Sequence, residues 1–239
     1  MSRGAKRYAQ RLARDWLPFA AVPTAYAVLH RFGDRLTRSA HVQPQLGFDE
    51  TVFGGTVPTI TLQTALWDPD DPRWWDIAAW LVYLSHFVVG IAIALAMRFR
   101  DLERFRRWRR LVLVTTFAGF ATYLAYPAVP PWLASIRGDI ASTDRITRAV
   151  WDHLGAPNIA AIFGENSKLA FEAGALPSLH AAAPFMAMLF LWDRGAAWRV
   201  PLIAYTLAMA VTLVYTADHF VFDILLGWSY AAVVYALLG

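Results

Sequence analysis

The sequence predicts an all-α, polytopic membrane protein, a bundle of spanning helices with cap segments outside the cytoplasm. Hydrophobic residues make up 57% of the 239, only 17% are charged, and mean hydropathy is +0.37. The apolar residues also gather into runs near the length of about 20 residues that crosses hydrocarbon. Eleven Trp and nine Tyr fit the same reading, because such rings favour the water–lipid boundary, where an apolar body and a polar tip are both satisfied. An aromatic-rich soluble core is the alternative, and the length of the apolar runs weighs against it. Cysteine is absent, so no disulfide can staple the loops and no thiolate can bind metal or act as a nucleophile.

Taken in order, the first apolar run covers residues 16–30; it is short and carries Pro18 and Pro23. It reads as a spanning helix, an interfacial helix, or a signal peptide, since Arg-rich sequence precedes it and Ala25-Tyr26-Ala27 resembles a cleavage site. A retained spanning helix is the expectation, because the later runs already make the chain multi-spanning. Residues 31–74 follow, with Pro58, Trp67, Pro69, Pro72 and Trp74 making them rigid and interfacial. Five stronger runs come next, at 75–97, 111–126, 176–192, 200–217 and 220–238. Pro177 and Pro184 interrupt the third of these, so its ends reach toward loops or protein-lined regions. Between the second and third, residues 127–175 open with Pro127, Pro130, Pro131 and Trp132. Both long connectors are expected to fold over the mouth of the bundle as a cap. No repeat or low-complexity tract divides residues 1–239, which read as one domain.

Orientation follows from positive charge. Arg3, Lys6, Arg7, Arg11 and Arg14 in the basic segment 1–15, and Arg98, Arg100, Arg104, Arg106, Arg107, Arg109 and Arg110 between two apolar runs, belong in the cytoplasm by the positive-inside bias. A nucleic-acid patch is the competing reading of the second cluster, but a tether between two spanning helices suits topology better. Arg194 and Arg199 then mark a third cytoplasmic connector, and residues 31–74, 127–175 and 217–219 lie outside. Arg31, Arg35 and Arg38 oppose this assignment and are outnumbered.

Three ionisable residues fall at the outer ends of these helices: His180, His219 and Asp223. Ionisable groups are costly in a membrane helix and tend to have a partner and a task. His219 and Asp223 are four apart, so on a helix they share a face. The carboxylate could then fix one ring nitrogen and leave the other as a nucleophile. His180, from another helix at matching depth, could protonate a leaving oxygen. Each His taken alone reads as a capping or interfacial residue, and the three together also satisfy a two-His-one-carboxylate metal site. Around His180, Pro177 suits a first helical turn and Ser178 offers a hydroxyl where backbone N–H groups could receive a phosphate.

Pro-Ser-Leu-His at 177–180, followed by His219-Phe220-Val221-Phe222-Asp223, resembles the second and third motifs of the type 2 phosphatidic acid phosphatase (PAP2) superfamily. Within it, the chain is most similar to the branch of the fungal inositol phosphorylceramide synthase. Tyr126-Pro127-Ala128-Val129-Pro130-Pro131-Trp132, Phe53-Gly54-Gly55-Thr56-Val57-Pro58 and Tyr83-Leu84-Ser85-His86-Phe87 carry that narrower likeness. The likeness spans roughly residues 45–235. It implies a six-helix bundle, no required cofactor or metal, and a phosphohistidine intermediate. Carried over by position, His219 is the nucleophile, Asp223 its orienting carboxylate, His180 the acid for the leaving alcohol, and Ser178 a phosphate-binding residue.

The chain departs from the superfamily pattern in two places: Leu213 stands where the third motif has an Arg six residues before its His, and the first motif's Lys and Arg-Pro are not intact. Phosphoryl transfer needs positive charge or hydrogen-bond donors on the equatorial oxygens. Lys168 is the leading substitute, with Arg137, Arg145 and Arg148 of the same connector competing. The expected activity is a membrane lipid phosphotransferase or phosphatase working on a lipid phosphate or phosphodiester at the outer leaflet. Its partners would be that substrate and the surrounding lipid, with no nucleic acid. The missing Arg pair keeps open a non-catalytic lipid-binding or transport protein of the same fold.

Overall fold

A computed structural model describes residues 3–155 and 172–239, and the regular elements among them are all helical. Helix α1 (Arg3–Arg31) is followed by three short helices, α2 (Gly33–Arg38), α3 (Gln45–Val52) and α4 (Pro58–Leu66). The long pair α5 (Trp74–Arg100) and α6 (Leu102–Ala125) comes next, then short α7 (Pro131–Arg137) and α8 (Ile146–His153). The chain closes with α9 (Leu179–Leu191), a 3-10 turn (Trp192–Arg194), α10 (Ala196–Tyr215) and α11 (Val221–Leu238).

Three helices, α5, α10 and α11, are long and apolar enough to cross a membrane, and they coincide with three of the predicted runs. The other runs differ in ways their composition explains. Helix α1 begins inside the basic segment and continues unbroken through Pro18 and Pro23. Helix α6 starts at Leu102, nine residues before the apolar run, and so carries five of the Arg residues in its first turns. Helix α9 has 13 residues, which at 1.5 Å per residue is about 20 Å, less than the roughly 30 Å of hydrocarbon. Shortness suits its position. It packs against α11, α10, α6 and α5, and Ala181, Ala182, Met186, Ala187 and Phe190 are buried there, so it needs no width of lipid-facing surface.

The seven-Arg segment is a corner between two antiparallel helices, with Asp101 as its hinge; the Asp101 side chain accepts from Glu103 N–H and Arg104 N–H and so caps α6. Asp15 of α1 pairs with Arg98 at 2.8 Å and Arg109 at 3.8 Å, and Arg104 pairs with Asp193 at 2.5 Å. Asp15 beside the basic segment, the seven-Arg segment and Asp193 beside Arg194 therefore meet at one end of the bundle.

At the other end, three outer segments lie side by side through isolated backbone pairing. His41 N–H donates to Pro127 O at 2.9 Å, Val129 N–H to His41 O at 3.0 Å, and Ala128 N–H to Ala173 O at 3.0 Å. Gln63 of α4 binds this layer to α10: its amide donates to Asp144 O and Tyr215 O, both at 2.8 Å, and accepts from Asp144 N–H at 2.9 Å. A buried side chain that satisfies three backbone groups at once holds its segment firmly, because each would otherwise be stranded without water.

Candidate active site

The helix that carries His180 starts three residues later than the expected run at 176. Helix α9 begins at Leu179, Ser178 is its N-cap, and Pro177 lies outside it. Ser178 Oγ accepts from Ala181 N–H at 3.1 Å, so one lone pair of this buried hydroxyl caps the helix while its O–H remains a donor. Ser178 N–H donates to Asp223 O at 2.9 Å, and Tyr123 OH donates to Pro177 O at 3.0 Å. The start of α9 is thereby tied to α11 and α6. Gly227 makes the tie possible, since a Cβ there would stand 2.2 Å from Ser178 O.

His219 does not stand on a helix, so it and Asp223 do not share a helical face. Helix α11 begins at Val221 with Phe220 as N-cap, and the pair meets because the chain folds back at the cap. Asp223 Oδ2 accepts from Phe220 N–H at 3.0 Å and lies 3.5 Å from His219 Nδ1. That distance is an ion-pair contact, longer than a formed N–H···O bond. Asp223 is fully buried and His219 only 4% exposed. With Nδ1 turned toward the carboxylate, Nε2 is the ring nitrogen left for chemistry.

The imidazoles of His180 and His219 converge, their ring centroids 5.7 Å apart. His180 Nε2 is buried without a hydrogen-bond partner among the described residues. Helix α5 presents three further rings to His180: Tyr83 stacked at 4.9 Å, His86 at 4.3 Å and Phe87 edge-on at 5.9 Å.

The outer layer contributes charge. Arg145, at the N-cap of α8, pairs through Nε with Asp218 Oδ1 at 3.2 Å, one residue before His219, and its guanidinium lies 5.0 Å from the Trp132 ring. Asp218 is buried and also accepts from Thr216 Oγ1 at 2.7 Å and Thr147 Oγ1 at 3.3 Å. The turn leading into this pair passes through Ala217, whose φ of 62° is left-handed. Beside the pair opens a cavity of about 330 Å³ lined by Trp132, Ser135, Ile136, Ser142, Thr143, Asp144 and Arg145.

Of the other candidate cations, Arg137 is engaged elsewhere, donating to Ala40 O at 2.8 Å and to Thr37 O. Arg148 lies on α8, and Lys168 lies outside the described residues. Leu213, in the place of the superfamily's Arg, is fully buried in apolar surroundings. Among the described residues no group of three or more His, Cys, Asp or Glu side chains is arranged to hold a metal ion.

Sequence reasoning missed Asp49. This fully buried residue of α3 accepts from Val221 N–H at 3.0 Å and Phe222 N–H at 3.2 Å, the first two amides of α11. Burial pushes its carboxyl up to about 6, against the pull of those two hydrogen bonds. An acidic residue some 170 positions upstream of the helix it caps leaves no local signal.

A buried His/His/Asp cluster thus lies among helices of which three are long and apolar enough to cross a membrane. The model of the PAP2 superfamily matches residues 61–237, and the chain belongs to that family. It is also 27% identical over 168 residues to a phosphoinositol dihydroceramide synthase from Bacteroides thetaiotaomicron, an alignment covering 65% of this chain and 53% of that protein. The chain thus spans about half the length of that relative. No solved structure matches it.

Proposed function

We propose that the protein transfers phosphoryl groups on a lipid phosphate or phosphodiester through a phosphohistidine on His219. The observation that carries this reading is the 5.7 Å approach of two buried imidazoles from separate elements, one of them backed by Asp223. In the first half-reaction His219 Nε2 attacks phosphorus, the bond to the leaving alkoxide breaks, and protonated His180 gives its proton to that oxygen. Asp223 holds the Nδ1 proton and stabilises the charge that develops on the ring. In the second half, water or an acceptor alcohol loses its proton to His180, attacks phosphorus and frees His219. Ser178 O–H and the Arg145 guanidinium supply donors to the non-bridging oxygens, Arg145 taking the place of the absent superfamily cations. Transfer to an alcohol is favoured over hydrolysis, because the aromatic cap restricts water and the similar Bacteroides protein is a synthase.

The chemistry lies on the extracytoplasmic side in this reading. The gathering of the Arg corner, Asp15 and Asp193 at the far end of the bundle supports it. Helices α1, α5, α6, α9, α10 and α11 form the six-helix bundle, and α3, α4, α7 and α8 belong to its cap.

The test is to incubate purified protein with a lipid phosphate donor, with and without candidate alcohols, and to follow free phosphate and new phosphodiester. His219→Ala is expected to lower turnover by at least about 10³-fold while the protein stays folded; retained turnover would indicate the non-catalytic reading. EDTA is expected to leave the rate unchanged, and a loss restored by a divalent ion would move the chemistry to a metal site.

A further inference from the structure

We infer that His86 is a positioning residue for the acid His180, doing for that imidazole what Asp223 does for His219; the assignment rests on the phosphohistidine reading above. Helix α5 brings Tyr83, His86 and Phe87 to one face at helical spacing, and all three rings pack on His180. His86 makes the nearest approach, with ring centroids 4.3 Å apart. Of the three, the Tyr83 hydroxyl is engaged by Arg145 and Phe87 has no polar atom, so His86 is the ring left to exchange a hydrogen bond with an imidazole. A Phe or a second Tyr would fill the same space more cheaply in this apolar setting, since burying a ring nitrogen without a partner costs free energy. Both His86 Nδ1 and His180 Nε2 are buried without partners among the described residues. Two such atoms in contacting rings can share one hydrogen bond, which would fix the tautomer of both.

The surroundings of His86 extend the pattern. A cavity of about 10 Å³ lies against His86, lined also by Gly90, Trp108, Pro184, Ala187 and Tyr205 among others. That is close to the smallest space that accepts one water. Its only polar side chains besides His86 are Trp108, whose indole N–H is engaged by Gly90 O at 3.0 Å, and Tyr205, whose hydroxyl shares a hydrogen bond with Ser85 at 2.7 Å. The lining is otherwise apolar, so the recess is packing space behind His86 and no water is needed for its role. The order across the site becomes recess, His86, His180, phosphorus, His219, Asp223, with each reacting imidazole backed by one further group. The backing sets which His180 nitrogen carries the proton that goes to the leaving oxygen, and no new bond to substrate is involved.

Leaving-group dependence of the first half-reaction, read as single-turnover release of the leaving group, tests this directly, because at that step a group that acts through the acid matters only when the leaving oxygen needs a proton. His86→Phe and His86→Asn are compared with the parent protein on a lipid alkyl phosphate and on a nitrophenyl phosphate, whose phenolate departs unprotonated. The expected result is a fall of at least about 30-fold in the single-turnover rate of alcohol release from the alkyl substrate. The effect on the nitrophenyl substrate should stay within about threefold, with KM little changed on either and Tm within a few degrees of the parent. His180→Ala is expected to show the same selectivity in stronger form. Equal losses on both substrates, or no loss on either, would overturn the assignment of His86. Turnover that survives His219→Ala would instead overturn the phosphohistidine reading and take the assignment with it.

Discussion

At the scale of single residues, Asp223 and Asp49 show two uses of a buried carboxylate at one helix start. Asp223 holds Phe220 N–H and faces His219. Asp223→Asn keeps the volume but removes the charge that steadies the ring, and we expect kcat to drop about 10²- to 10⁴-fold with KM nearly unchanged, read by steady-state kinetics. Asp49 satisfies the next two amides from α3. Because burial raises its folded carboxyl from 3.8 to about 6, the folded state binds this proton more tightly than the unfolded chain does. Its contribution to stability is fully present below about pH 3.8 and is lost as pH rises through about 6. Thermal melts of the parent protein and Asp49→Asn between pH 4.5 and 7.5 should therefore diverge, the parent losing ground to the variant as pH rises through 6. Curves that stay parallel would show the carboxyl to be unperturbed.

Between elements, the site depends on how closely α9 and α11 approach. Gly to Ala within a helix ordinarily stabilises by about 1 kcal/mol. At Gly227 the sign should reverse, because the added Cβ meets the Ser178 carbonyl at 2.2 Å, a backbone atom that cannot swing aside. We expect Gly227→Ala to cost about 1–3 kcal/mol, as overpacking does, and to lower kcat by displacing His180 from His219. Unchanged Tm and kcat would mean that the two helices have slack. Gly119 offers a built-in comparison. The nearest atom to a Cβ there is Leu179 Cδ2 at 2.8 Å, the end of a flexible side chain, and Gly119→Ala should be tolerated better.

For the molecule as a whole, the question is which face of the membrane holds the site. The absence of cysteine makes every introduced thiol unique. Ser142 and Ala197 are both exposed, one in the segment that leads to Arg145 and one beside the Arg104–Asp193 pair. In intact cells a membrane-impermeant maleimide is expected to label Ser142→Cys and to spare Ala197→Cys until the cells are opened. The opposite pattern would place the histidines in the cytoplasm. The charges from which the topology is inferred also bind the end of the bundle together, so neutralising Arg98 or Arg104 should disturb insertion and packing at once.

The sequence by itself determined the family and the apolar, membrane-suited character of the helices. Long apolar runs suit lipid, clustered Arg marked the connector that the structure holds against Asp15 and Asp193 at one end, and Pro-Ser-Leu-His with His-x-x-x-Asp pointed to the family. Those signals are local, carried by composition or spacing within one stretch of chain. The tertiary structure decided what depends on approach between distant stretches. Examples are the cap that makes His219 and Asp223 meet without a shared helix, the pairing of Arg145 with Asp218, and the arrival of His86 and Asp49 at a site formed more than 90 residues away. The physical reason is that a buried polar group is explained by its partner. Which partner it finds depends on packing between elements, and the period of a helix marks its buried face without naming the residue that will meet it.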